Sequence, residues 1–287
     1  MNTILKKTQL SDDVVQLRVA APLIAEERKP GQFVIVQVDS DFGERIPLTI
    51  ADADAREGSI TLIFQVVGKT TMRMAALKEG DVIENILGPL GRPTHIEKLG
   101  TVVCVGGGIG VAPLHPIAQG FKQAGNKVII ILGARNQKLL ILEKEMRAIA
   151  DELIICTDDG SYGRKALVTE PLKELCQQAP KPDFVVAIGP PIMMKFCAET
   201  TRPFAVPTFV SLNTIMVDGT GMCGGCRVTV GDETKFVCVD GPEFDGHKVD
   251  FDNMMKRLRA YKTLEDQARH TCKLQQEIAR KESEMKP

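Results

Sequence analysis

The sequence predicts a multidomain chain that combines all-β and α/β parts. An N-terminal antiparallel β-barrel comes first, a parallel α/β domain second, and a small cysteine-bearing domain with a helical tail last. Three observations carry this prediction. Short alternating runs separated by turn residues fill the first third of the chain. Continuous Val/Ile runs that alternate with amphipathic stretches fill the middle. Three cysteines and an aspartate then gather in one glycine-rich stretch. At 287 residues the chain has room for two or three domains of ordinary size.

In residues 1–97, VVQLRVAA (14–21), QFVIVQV (32–38) and SITLIFQVV (59–67) alternate and are rich in β-branched residues, which predicts strands. PG at 30–31, DADAREG at 52–58 and KEGD at 78–81 supply the turns of a small antiparallel barrel. RIPLT (45–49) stands at a strand end, and Gly68-Lys69-Thr70-Thr71 follows the third strand. An arginine suits a pyrophosphate, and threonine hydroxyls on a glycine turn can complete the grip. An ordinary strand edge would read the same way.

Residues 98–210 have a different grain. TVVCVGGG, KVIIILGAR, ELIICTDDG, DFVVAIGPP and TFVSL are apolar runs, and helical patterns separate most of them. That order predicts parallel strands with helices on both faces. In VCVGGGIGVAP (103–113), Gly106, Gly107, Gly108 and Gly110 remove Cβ atoms where a phosphate could approach the start of a helix. Val111 takes the place of the last glycine of G-x-G-x-x-G, so a plain tight turn stays open as the alternative. GAR (133–135), TDDGSYG (157–163) and IGPPIMM (188–194) fall at strand ends on the same sheet edge, where ligands bind. Arg135 could meet a phosphate or a ribose there, or pair with a surface carboxylate.

Residues 211–250 hold DGTGMCGGCRVTVGDETKFVC. Four residues separate Asp218 from Cys223, two separate Cys223 from Cys226, and eleven separate Cys226 from Cys238. This is the plant-type [2Fe–2S] spacing with aspartate at the first position. A zinc site would need Asp218 or His247 beside the three cysteines, and no second C-x2-C or His pair is present. Asp218 could also cap a turn without touching metal. The other five cysteines lie in strand-like or helix-like runs and are expected to be packed, reduced thiols. Residues 251–287 form a polar, helical tail with too few apolar residues for a domain of its own. It is expected to pack on this chain or on a partner.

A net charge of −1 gives no reason to expect nucleic acid or an anionic membrane as partner. The N-terminus shows no apolar signal region, and the longest apolar runs, such as VIIIL (128–132), are too short for a bilayer. The expected location is the cytoplasm.

Taken in order, R-x-P-L-T (45–49), V-V-G-K-T-T (66–71), GPLGRP (88–93), G-G-G-I-G-V-A-P (106–113) and I-G-P-x-x-M (188–193) resemble the ferredoxin–NADP reductase-like superfamily over residues 1 to about 210. The resemblance implies FAD in the barrel and NAD(P)H in the α/β domain. It implies that Arg45, Pro47, Leu48 and Thr49 flank the isoalloxazine and pyrophosphate. Ile63, Gln65, Val66, Gly68, Thr70 and Thr71 would take the rest of the flavin. Gly107, Gly108 and Gly110 would meet the dinucleotide, with Gly189, Pro190 and Met193 near the nicotinamide. Many members have Cys where Ile188 stands. No catalytic side chain is implied, because hydride passes between the cofactors.

The three-part order resembles electron-transfer subunits of two kinds. One serves dihydroorotate dehydrogenase. The other is the small subunit of NADH-dependent reduced ferredoxin:NADP⁺ oxidoreductase, also described as sulfide dehydrogenase, which has Asp at the first ligand position. GARNQKLLILEKEM, TDDGSYGRKALVTEPL and SLNTIMVDGTGMCGGC are similar to the second. That resemblance implies Asp218, Cys223, Cys226 and Cys238 as [2Fe–2S] ligands and NAD(H) as the nucleotide. It also implies a heterodimer with a larger iron–sulfur flavoprotein subunit, which couples to NADP(H) and to ferredoxin by flavin-based bifurcation. The alternatives are a dihydroorotate dehydrogenase subunit, whose neighbour would be a TIM-barrel flavoprotein, and a zinc-stabilised nucleotide-binding module with no redox role.

Overall fold

A computed structural model describes residues 2–39 and 43–284. The first sheet uses β1 (Asn2–Ser11), β2 (Val14–Ala20), β3 (Phe33–Gln37), β4 (Arg45–Asp54), β5 (Ser59–Gln65), β6 (Val82–Ile83) and β7 (Asn85–Leu90). Helices α1 (Pro22–Glu27) and α2 (Lys69–Ala76) lie in its connections. The strand order is β6-β1-β2-β5-β4-β3-β7, with antiparallel pairing throughout. One residue separates β6 from β7, so the two edge strands meet and the sheet is a nearly closed barrel. Alternation explains its interior: Val15, Leu17 and Val19 of β2 and Ile60, Leu62 and Phe64 of β5 point inward together. Strand β3 is buried on both faces, which is why FVIV reads as a continuous apolar run. Val34 and Val36 fill the barrel, while Phe33 and Ile35 pack into a second core outside it.

The second sheet is built from β8 (Thr101–Gly107), α3 (Val111–Gln123), β9 (Lys127–Ala134), α4 (Glu143–Ile149), β10 (Glu152–Thr157), β11 (Arg164–Lys165), α5 (Thr169–Gln177), β12 (Phe184–Ile188), α6 (Pro191–Thr201) and β13 (Thr208–Ser211). Its order is β11-β10-β9-β8-β12-β13, all parallel. Successive residues of β8 enter different cores, Val103 and Val105 on one face and Val102 and Cys104 on the other. Helices therefore cover both faces. The chain winds outward from β8 to β11, then crosses to the other side with β12. The switch point lies between the carboxyl ends of β8 and β12.

The remaining elements are the hairpin β14 (Arg227–Val230) and β15 (Glu233–Phe236), α7 (Val237–Asp240), β16 (Glu243–Asp245), α8 (Phe251–Leu258) and α9 (Lys262–Glu284). Strand β16 joins the second sheet antiparallel to β13. Cys226, Val228, Cys238, Phe244, Phe251 and Met254 share one core with residues of α6 and β13. The third module thus has no separate core. Among the described residues no helix is long and apolar enough to cross a membrane.

Candidate functional site

A cleft of about 1030 Å³ opens at the switch point, between barrel and second sheet. Its barrel wall includes Pro47, Leu48 and Thr49 of β4 and Ile63 and Gln65 of β5. Its opposite wall includes Gly107, Gly108 and Gly110, Arg135, and Gly189, Pro190 and Met193. The structure therefore brings twelve of the sequence-nominated residues around one space, from five separate stretches of chain.

The glycines do different jobs. A Cβ on Gly110 would stand 2.3 Å from the Ile188 carbonyl oxygen, so Gly110 lets β8 and β12 close on the turn. Gly108 adopts a φ of +54° with nothing near its missing Cβ, and it leaves open cleft for a ligand. Arg135 is exposed at the end of β9 and forms no ion pair among the described residues. Sequence reasoning missed Phe33, Phe196, Ser211 and Asn213, which also line the cleft. Ser211 ends β13 on the same sheet edge, and Phe196 follows Met193 by three residues on α6, so both positions carried a usable signal.

Arg45, Val66, Gly68, Thr70 and Thr71 do not line this cleft. Val66 packs on the barrel core. Gly68 caps α2, and the Thr71 hydroxyl accepts from the Val67 and Gly68 N–H groups at 3.0 Å. The Thr70 hydroxyl donates to Glu44, which brings the Arg45 segment to the start of α2. Arg45 Nε is buried without a hydrogen-bond partner among the described residues. An orphaned guanidinium nitrogen near a helix start fits an anionic group such as a pyrophosphate. Glu44 would have to release Thr70 for that hydroxyl to join.

The cysteine module presents its donors as two pairs. Cys223 Sγ lies 3.3 Å from Asp218 Oδ1, and Cys226 Sγ lies 3.2 Å from Cys238 Sγ. Among the described residues no three His, Cys, Asp or Glu side chains converge as a site for one metal ion. A tetrahedral zinc needs four donors round one point, whereas two irons take two protein ligands each. His247 is not with the cysteines, since its Nε2 lies 3.0 Å from the Thr201 hydroxyl. Burial works against the charge on Asp218, but bonds from the Cys223 thiol and the Cys223, Thr220 and Met222 N–H groups outweigh it. They hold its carboxyl at about 2, ionised as a ligand must be. Burial pushes the Cys238 thiol up to about 12, with the neighbouring Cys226 sulfur adding to the effect, so metal must displace protons to bind there. The module sits against the barrel: a Cβ on Gly219 (φ +76°) would stand 2.6 Å from Ile35 of β3. The Arg92 N–H also donates to the Gly241 carbonyl at 2.7 Å, so GPLGRP serves this junction.

Residues 213–250 match the family described as the iron–sulfur cluster binding domain of dihydroorotate dehydrogenase B, and residues 104–199 match the oxidoreductase NAD-binding domain. Fold and site together define a ferredoxin–NADP reductase-like oxidoreductase chain with an appended iron–sulfur module. The chain is 49% identical over 265 residues to a Thermotoga maritima protein named as a homologue of the dihydroorotate dehydrogenase B (NAD⁺) electron transfer subunit, covering 92% of this chain and 93% of that one. A Methanocaldococcus jannaschii protein named as a probable subunit of that kind is 37% identical over 79% of this chain and 89% of its own length. A solved structure of the NADH-dependent reduced ferredoxin–NADP oxidoreductase, reported for its insight into flavin-based electron bifurcation, contains a 47% identical chain. The two superimpose with a TM-score of 0.91 over 96% of this chain and 98% of that one. The protein belongs to the family of dihydroorotate dehydrogenase B electron-transfer subunits and their homologues.

Proposed function

We propose that this chain exchanges hydride between NAD(H) and FAD and relays single electrons through a [2Fe–2S] cluster to a larger iron–sulfur flavoprotein subunit in the cytoplasm. One observation carries the reading. Phe33 lines the cleft, and two residues along the same face of β3 Ile35 touches the cluster loop at Gly219. A residue of the cleft wall and a residue against the cluster loop are thus one two-residue strand step apart, about 7 Å, which supports a short electron path between the two sites.

FAD and the cluster, when bound, supply the chemistry that joins a two-electron donor to a one-electron acceptor. The residues position these groups. The Arg45 guanidinium and the start of α2 hold the flavin pyrophosphate. Pro47, Leu48, Thr49, Ile63 and Gln65 form the wall for the ring system, with Val66, Gly68, Thr70 and Thr71 shaping the barrel end beside it. The turn at Gly107–Gly110 and the exposed Arg135 receive the dinucleotide. Gly189, Pro190 and Met193 set the nicotinamide against the flavin wall, and the largely apolar lining keeps water from the hydride path. Asp218 and Cys223 take one iron, Cys226 and Cys238 the other. Met222 is 88% exposed and Cys223 is exposed, so this end of the module faces outward, toward a docked partner.

The relative named in NADH-dependent ferredoxin–NADP oxidoreduction favours a bifurcating partner, with ferredoxin reached through it. A second reading, electron supply to dihydroorotate dehydrogenase, is favoured by the names of the sequence relatives. Anaerobic purification with the companion chain tests both. The expected result is about one FAD with two iron and two sulfide on this chain and a large iron–sulfur flavoprotein beside it. A TIM-barrel flavoprotein beside it would favour the second reading, and zinc without flavin would overturn both.

A further inference from the structure

The Cys223–Cys226 loop carries a feature outside its donor set. Arg227 Nη1 donates to the Gly224 carbonyl at 3.1 Å. The N–H of that same peptide unit, on Gly225, donates to Cys223 Sγ at 3.4 Å. The next carbonyl, of Gly225, accepts from Arg257 Nη2 at 3.1 Å. Two consecutive peptide carbonyls therefore each hold a guanidinium. Neither arginine forms an ion pair among the described residues.

Arg257 belongs to the polar tail, and its placement is built. Asp250 accepts the Asn253 N–H and caps α8. Phe251 and Met254 are buried in the same core as Cys226 and Cys238. Lys195 of α6 donates to Asp252 at 2.8 Å. Arg257 follows Met254 by three residues, so it shares the inward face of the helix and reaches the loop.

We propose that Arg227 and Arg257 form a cationic clamp that fixes the cluster loop and raises the reduction potential of the cluster. The physics has two parts. A guanidinium on a carbonyl polarises the peptide unit, which strengthens its N–H as a donor to sulfur. The positive charges also favour the reduced cluster, which carries one more electron. The clamp rests on the cluster reading above and assigns α8 an internal role, as a positioning element for the electron relay.

The test is an anaerobic redox titration of the holo-complex, followed by the cluster's EPR signal, for R257Q, R257K, R227Q and R259Q. Arg259 is exposed at the end of the same helix and serves as the charge-matched control. R257Q and R227Q are expected to lower the potential, R257K to stay nearer wild type, and R259Q to leave it unchanged. Amide exchange at Gly225 and Cys226 is expected to rise in R257Q. Potentials of R257Q and R227Q equal to wild type would overturn the clamp with the cluster reading intact. If R257Q fails to hold iron, R227Q decides by the same criterion. Wild-type protein without iron and sulfide would overturn the cluster reading and the clamp together.

Discussion

Asp218 accepts the Met222 and Cys223 N–H groups at 2.8 and 3.0 Å, so it organises the loop, and in the proposed cluster site it would also offer an oxygen to iron. Replacing it with Cys is expected to keep the cluster while shifting its EPR signal and potential, because a thiolate replaces an oxygen donor. An unchanged spectrum would show that the carboxylate never touched iron. The spacing of the four donors was legible in the sequence. Their pairing was not, since it depends on the turn of α7 that carries Cys238 back beside Cys226. The orphaned Nε of Arg45 was equally invisible, because RIPLT alone cannot show what surrounds a side chain.

At the scale of elements, the glycine turn between β8 and α3 separates packing from binding. Gly110→Ala drives a methyl into the Ile188 carbonyl and is expected to cost at least about 1–3 kcal/mol by overpacking. Gly108→Ala meets no neighbour, so its cost is the left-handed backbone, about 1–2 kcal/mol. Its methyl projects into the cleft, where the proposed function puts the dinucleotide. Thermal unfolding is expected to show the larger loss for Gly110→Ala, and NADH-driven flavin bleaching to slow in a folded Gly108→Ala. The alternation of β2 and β5 and the Val/Ile runs of β8 and β9 identified those strands from sequence. Strand β1 escaped because NTILKKTQLS is mostly polar and buries only Ile4 fully. Strand β16 escaped because three residues are too few to show a period.

At the scale of the molecule, Glu243 joins its parts. It lies on β16 in the second sheet, and its carboxylate accepts the Thr94 hydroxyl at 2.6 Å beside Gly31, both from the barrel side. Burial pushes its carboxyl up to about 7, against the Thr94 bond that lowers it. The folded state thus holds this proton more tightly than the unfolded chain, whose carboxyl titrates near 4.5. Its stabilising contribution is full below that value and is lost as pH rises through about 7. Urea unfolding is expected to show a fall in stability between pH 5 and 8 that is weaker in Glu243→Gln. Equal slopes would remove Glu243 as the source.

Local pattern was enough to determine the barrel-then-parallel-sheet order, the strand-end motifs and the spacing of Asp218 and the three cysteines, because these follow from period, glycine placement and residue counts along the chain. The tertiary structure alone decided which motifs face one cleft, that the cluster loop meets the barrel at β3, and that the tail returns through α8 to brace that loop. Those relations join residues far apart in the chain, as Ile35 with Gly219 and Arg257 with Gly225. They arise when separate apolar faces bury together, a requirement that no local period encodes.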